Sequence, residues 1–125
     1  MKVAELMQTK LKTISADSTL ADAITDLAEA QISALPVVDR FGRAVGVLST
    51  REVLKAESAE LDRDVKVLEI MAPWPTTIDP DLDVCQTAQE MLYLNVQRLF
   101  VEYDGALVGV ISQTDIVGAV ATAKV

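Results

Sequence analysis

A chain of 125 residues with 11 basic and 19 acidic side chains, a net charge of −8, no histidine and one cysteine is a poor partner for nucleic acid or an anionic membrane, since phosphate binding needs a cationic footprint. No apolar run approaches the roughly 20 residues of a membrane span, "MKVAELMQTK" lacks a signal-peptide stretch, and the lone Cys85 rules out an internal disulfide and fits a reducing compartment. Half the residues are hydrophobic, enough for a packed core; the expectation is a cytoplasmic protein, and the start at Met1 points to one that stands alone.

The chain is written twice. Residues 3–53 align with 67–116 through a single gap at Phe41. Identical pairs run from Val3/Val67, Glu5/Glu69 and Met7/Met71 through Thr13/Thr77, Ile14/Ile78 and Asp17/Asp81. They continue with Leu35/Leu99, Val37/Val101, Gly42/Gly105, Val45/Val108, Gly46/Gly109, Val47/Val110 and Ser49/Ser112. A period near 64 residues exceeds that of ordinary solenoids, so this is a duplicated unit rather than an array. The division expected is a first repeat over 1–60 and a second over 61–125.

Each copy opens on a short extended piece, "KTISAD" or "TTIDPD". A helix follows, with Leu20, Ile24, Leu27 and Ala28, or Val84, Ala88, Met91 and Leu92, at helical spacing. Its start is capped, Thr19 standing three before Asp22 and Asp83 three before Gln86. The strands "ALPVVD" and "AVGVLS" come next, joined through "RFGR"; in the second copy "RLFVEY" and "LVGVIS" are joined through "DG". A second helix begins at the repeated serine. The unit is β-α-β-β-α, an α+β fold, and the charged "ESAELDRDVK" (57–66) reads as a helix extension followed by a solvated link.

The repeated serine starts "GVLSTREVL" (46–54) and "GVISQTDIV" (109–117) on their last helix. S-x-x-E and S-x-x-D after a strand are capping boxes, in which the serine and the carboxylate satisfy each other's backbone N–H groups. The same pair has a second capability. A hydroxyl and a carboxylate one helical turn apart, at the carboxyl end of a strand, can hold the vicinal hydroxyls of a ribose. Gly46 and Gly109 then either keep the approach open or serve packing.

In its order of motifs, M-x5-T-I, then LPVVD, then G-V-x-S-x-x-D, the chain resembles a tandem pair of CBS domains, the regulatory module named after cystathionine beta-synthase. The stretch "LMQTKLKTISADSTLADAITDLAEAQISALPVVDRFGRAVGVLSTREVL" and its second copy ending "GVISQTDIV" carry the resemblance, which spans Val3 to Ala119. It implies two β-α-β-β-α repeats packed pseudo-symmetrically as one module. It also implies clefts between the repeats that bind adenosine-type ligands, and a sensor rather than a catalyst. Carried over residue by residue, the second copy supplies Thr77 and Ile78, whose backbone faces the adenine, and Arg98, Leu99 and Phe100 on the strand lining the cleft. Arg98 is able to meet a phosphate, Ser112 and Asp115 form the ribose pair, and Thr114 is their neighbour. The first copy supplies a weaker site from Thr13, Ile14, Leu35, Pro36 and Ser49, with Arg51 and Glu52. Glu52 replaces the aspartate, and its extra methylene is expected to push the carboxylate outward; Ala34 stands where Arg98 stands in the other copy. The ligands implied are AMP, ADP, ATP or S-adenosylmethionine, with no required cofactor and no metal. With a charge of −8 and one arginine in place, AMP or S-adenosylmethionine is expected ahead of ATP.

An enzyme is the weakest alternative. Histidine, the commonest general base, is absent. Cys85, opposite Ala21 in the first turn of a helix, reads as a small buried or half-buried residue. The acids show no metal-ligand spacing. The alternative to nucleotide sensing is a ligand-free module that dimerises or docks on another protein. Trp74, between Pro73 and Pro75, reads either as a plug over the linker or as a base-stacking ring. The last helix, "IVGAVATAKV" (116–125), is apolar nearly all round and must be covered on more than one face. A homodimer through this helix, the assembly the CBS resemblance also implies, is expected, the alternative being a fold-back onto "VAELM".

Overall fold

Repeat and compact unit are not coextensive in this chain. In the computed structural model, which describes residues 1–122, one compact unit is Lys12–Pro75, and the other joins Met1–Leu11 to the chain from Thr76 onward. The boundaries fall at 11/12 and 75/76, whereas the sequence repeat divides near 60/61. Each unit is therefore built from the body of one copy and the leading segment of the other.

In the unit Lys12–Pro75, β1 (Ile14–Ser15) pairs parallel with β2 (Ala34–Val38), which pairs antiparallel with β3 (Ala44–Ser49), and β3 pairs with β4 (Ala72–Pro73). Helix α1 (Leu20–Ala30) precedes β2, and α2 (Thr50–Ser58) leaves β3. Alternation along the strands turns Ile14, Leu35, Val37 and Leu48 to one face, where they form a buried cluster with Ala16, Ala23, Leu27 and Val67. The short helix α3 (Val67–Ile70) leads into β4. It is tied to the start of α1, where the Val67 N–H donates to the Ser18 carbonyl at 2.8 Å and the Leu20 N–H to the Val65 carbonyl at 2.8 Å.

The other unit repeats the plan. β5 (Thr77–Ile78) pairs parallel with β6 (Arg98–Tyr103), which pairs antiparallel with β7 (Ala106–Ser112). α4 (Val84–Leu94) and α5 (Gln113–Ala121) complete it. Its core gathers Val3, Ile78, Met91, Leu99, Val101 and Ile111. The leading segment, a 3₁₀ turn over Val3–Glu5, lies where α3 lies in its counterpart. The Val3 N–H donates to the Leu82 carbonyl at 2.9 Å, as Val67 does to Ser18.

The strand glycines make this arrangement possible. A Cβ on Gly109 would stand 2.7 Å from the Met7 sulfur and 3.0 Å from the Gln8 carbonyl oxygen. A Cβ on Gly46 would meet the Met71 sulfur at 2.5 Å and the Ala72 carbonyl oxygen at 2.6 Å. Repeated methionine and repeated glycine are thus one feature, a close backbone approach against the second hairpin strand, and of the two readings of the glycines packing is the one realised.

Local signals in the sequence hold with particular differences. Thr19 and Asp22 form a reciprocal cap, whereas Asp83 accepts from the Cys85 N–H at 2.9 Å without a return bond from Gln86. The inward face of α1 is Leu20, Ala23 and Leu27, and that of α4 is Val84, Thr87 and Met91. Ala28 and Leu92, expected inward, are exposed, because each sits about 100° round the helix from the residue before it, Leu27 or Met91. Cys85 is likewise exposed, since the first turn of α4 turns Val84 inward.

The gap at Phe41 is a difference in turns. Asp104 and Gly105 (φ 51° and 79°) close β6 to β7 as a two-residue turn with both residues left-handed. The longer turn from β2 to β3 is held by Asp39, whose carboxylate accepts from the N–H groups of Phe41 and Arg43 at 2.8 and 2.9 Å. The Arg43 N–H is the main reason that this carboxyl lies below its ordinary value of 3.8.

Two expectations follow. Gly46→Ala will destabilise by about 1–3 kcal/mol and more than Gly109→Ala, because the nearer obstacle includes a backbone carbonyl; urea unfolding of both variants measures the order. The lowered pKa of Asp39 means that its contribution is present above the unfolded-state pKa and vanishes as pH falls through the folded-state one. The stability difference between wild type and Asp39→Ala will therefore stay constant over about pH 5–7 and close as pH drops below about 3.8.

Candidate functional site

Strand pairing brings most of the expected second-copy residues onto one face of one sheet. Thr77, Phe100, Val110 and Gln8 are successive partners across β5, β6, β7 and the leading segment. One step along, Arg98 is the direct partner of Ser112, which sets their Cβ atoms about 4.5–5.5 Å apart. Alternation turns this row away from the hydrophobic cluster: Ile78, Leu99 and Ile111 are core residues, whereas Thr77, Arg98, Val110 and Ser112 are half-buried. Ile78 and Leu99 can thus offer a ligand only their backbone. Thr114 is exposed on the first turn of α5.

The capping box is fully formed at the end of this row. The Asp115 N–H donates to Ser112 Oγ at 3.2 Å, and the Ser112 N–H donates to Asp115 Oδ2 at 2.9 Å. Asp115 Oδ1 points elsewhere and accepts from the Gln8 carboxamide, Nε2 to Oδ1, at 3.3 Å. One carboxylate oxygen therefore holds the helix start while the other faces a side chain from the leading segment. Gln8 and Val110 lie on this candidate face, and sequence reasoning missed both. Their only trace in the sequence was the repeated Met7/Met71 beside the repeated Gly109/Gly46, which becomes a contact only after the leading segments are exchanged.

The first-copy site is a different object. Ala34 is the partner of Ser49, and Ala72 the partner of Val47, so alanine stands where Arg98 and Gln8 stand in the other unit. Ile14 and Leu35 lie in the hydrophobic cluster, Pro36 is buried, and Thr13 and Arg51 are exposed. Glu52 does not reach outward as its length led us to expect. It is only 9% exposed, and its Oε1 accepts from both the Ser49 N–H and Ser49 Oγ. The extra methylene lets the side chain curl back onto its own cap. Trp74 is half-buried in the link between β4 and β5.

The repeat agrees with the comparisons with known proteins. The profile of the CBS domain matches residues 3–59 and again 67–122. This chain belongs to the CBS-domain family. An A-adding tRNA nucleotidyltransferase of Aquifex aeolicus (strain VF5) is 32% identical over 121 residues, 96% of this chain but 14% of that relative, so the likeness concerns a small part of the larger protein. Among solved structures, CBSX2 in complex with AMP superposes with a TM-score of 0.86 at 24% identity, covering 99% of this chain and 98% of that one. The CBS domain pair of MJ0100, in complex with 5′-methylthioadenosine and S-adenosyl-L-methionine, gives 0.84 at 23% identity, covering 98% of each. Both likenesses establish the CBS-pair fold. Among the described residues no helix is long and apolar enough to cross a membrane, and no group of three or more histidine, cysteine, aspartate or glutamate side chains could hold a metal ion.

The unequal roles of the two carboxylates have a measurable consequence. Glu52→Ala removes a buried acceptor that serves both polar groups of Ser49 and will cost about 1–3 kcal/mol of stability. Asp115→Ala loses a half-exposed cap partner and will cost only about 0.5–1.5 kcal/mol. Urea unfolding of the two variants side by side tests the difference.

Proposed function

We propose that this CBS pair is a regulatory module that binds an adenosine-type nucleotide on the sheet face carrying Thr77, Phe100, Arg98, Ser112 and Asp115. The observation that carries this reading is the Arg98–Ser112 pair with Asp115 beside it, set against the Ala34–Ser49 pair with its folded-back Glu52. A scaffold needs a cap in both units, and both have one; the second unit alone adds a cation opposite the cap serine and a carboxylate whose second oxygen turns away from the cap toward Gln8, the combination that suits a ribose and a phosphate. Each vicinal hydroxyl of a ribose can donate to that carboxylate, Arg98 supplies a phosphate partner, and the backbone of Thr77 and Ile78 serves the base. The adenine compounds in CBSX2 and in the MJ0100 pair support the ligand class. Thr114 is the neighbouring polar group. The weaker second site is that of Thr13, Ile14, Leu35, Pro36, Ser49, Arg51 and Glu52. The module senses rather than catalyses, and it works in the cytoplasm.

With one arginine in the row and a net charge of −8, AMP or S-adenosylmethionine binds ahead of ATP. A thermal-shift panel of AMP, ADP, ATP, S-adenosylmethionine and NAD ranks them, and ATP at least tenfold tighter than AMP would overturn this order. In calorimetric titrations Asp115→Ala will weaken the ligand that binds best by about 10- to 150-fold, through loss of a charged hydrogen-bond acceptor. Unchanged affinity leaves Asp115 a cap and nothing more.

A second reading, assembly, rests on a separate observation. Val117 and Val120 on α5 are 65% and 58% exposed, and Leu92 and Tyr93 on α4, which packs on α5, are 77% and 85% exposed. Ile116 is half-buried against the cluster that includes Val3, Met91 and Ile111, which covers one side of α5 and leaves the valines bare. The sequence expectation extended this helix through Ala123, Lys124 and Val125, which lie outside the described residues. A homodimer burying this face is the assembly we propose. Light scattering will give twice the monomer mass at micromolar concentration, and Val120→Asp will return it to a monomer of unchanged stability; a monomeric wild type ends the claim.

A further inference from the structure

We propose that Gln8 is an internal latch on the Asp115 site, a side chain that occupies the outward carboxylate oxygen until a ligand displaces it and so sets the affinity. This rests on the nucleotide reading above. An ionised carboxylate only accepts hydrogen bonds, so the amide end of Gln8 faces Asp115 Oδ1, at 3.3 Å. A diol that uses both carboxylate oxygens must take that position from the amide. The bond is long and lies at the surface, which makes it weak enough to exchange. It is not what holds the leading segment in place. The Gln8 backbone does that, donating to the Val110 carbonyl at 2.8 Å and accepting from the Val110 N–H at 3.0 Å. In the other unit alanine fills the equivalent position, Ala72 opposite Val47, and the strand pairing persists without any side-chain bond. The carboxamide is therefore dispensable to the fold. It is present only in the unit whose carboxylate faces out, and missing where Glu52 is already occupied by its own serine.

Two measurements test the latch, one without any nucleotide. In the ligand-free protein, Asp115→Ala will shift the side-chain amide resonances of Gln8 in the ¹⁵N–¹H spectrum; unmoved resonances overturn the contact and the proposal with it. In calorimetric titration with AMP, Gln8→Ala will bind about two- to tenfold tighter than wild type, the gain expected from removing one weak competing hydrogen bond. Equal or weaker binding by Gln8→Ala, with wild type still binding AMP, overturns the latch and leaves the nucleotide reading standing. Binding by Gln8→Ala alone supports the latch. Absence of binding by both proteins to AMP, ADP, ATP and S-adenosylmethionine at millimolar concentration removes the nucleotide reading and the latch together. Thermal unfolding of Gln8→Ala near the wild-type midpoint confirms that the backbone pairing survives.

Discussion

The close approach of the leading segments to the second hairpin strands is the constraint on which the rest of this structure depends. At Gly109 and at Gly46 there is no room for a side chain, because a methionine and a backbone carbonyl fill the space. That contact lets Gln8 pair with β7 and residues 72–73 pair with β3. It also anchors Val3 and Val67, both fully buried, against the starts of the helices α4 and α1. Without it each unit loses the outermost strand or bridge of its sheet and one buried valine. The duplicated glycine, methionine and valine are thus parts of one device for joining a body to a segment borrowed from the other copy.

The device also decides chemistry. By pairing with Val110, the borrowed segment carries Gln8 into reach of Asp115, and by pairing with Val47 it carries Ala72 to the matching place. Two units with the same backbone plan therefore present different surfaces at their serine–carboxylate starts. A helix start of this kind combines two uses of one carboxylate: one oxygen neutralises the unpaired N–H of the cap residue, and the other is free for a partner. Aspartate is short enough to keep the uses separate, Oδ2 on the Ser112 N–H and Oδ1 facing out. Glutamate is long enough to fold both polar groups of Ser49 onto one oxygen and to bury itself doing so. The aspartate–glutamate difference between the copies is a difference in reach, with the outcome opposite to that of simple extension.

Structural and functional readings of the motif are not exclusive here. Both capping boxes form, as the bare S-x-x-D/E spacing requires, and the boxes alone distinguish nothing. The distinction comes from what the sheet sets beside them: Arg98 opposite Ser112, Ala34 opposite Ser49. Only in the second unit does a neighbouring strand bring a charged side chain to the cap serine.

Much of this was determined by the sequence alone. Resemblance of its ordered motifs pointed to the CBS family; the β-α-β-β-α order within each repeat, though not α3 or β4, the caps at Thr19, Ser49 and Ser112, the two hairpins and the inward Leu20, Leu27, Val84 and Met91 follow from local spacing and from repetition. These are interactions between residues a few positions apart, which periodicity and turn chemistry report directly. The expected pairing of Ser112 with Asp115 was of the same kind. Only the tertiary structure decided which leading segment serves which body, that Gly109 exists for Met7, that Glu52 turns inward and that Gln8 reaches Asp115. The physical reason is separation along the chain. Gln8 and Asp115 lie 107 residues apart, and nothing in local composition encodes a hydrogen bond that exists only once two distant strands have come into register.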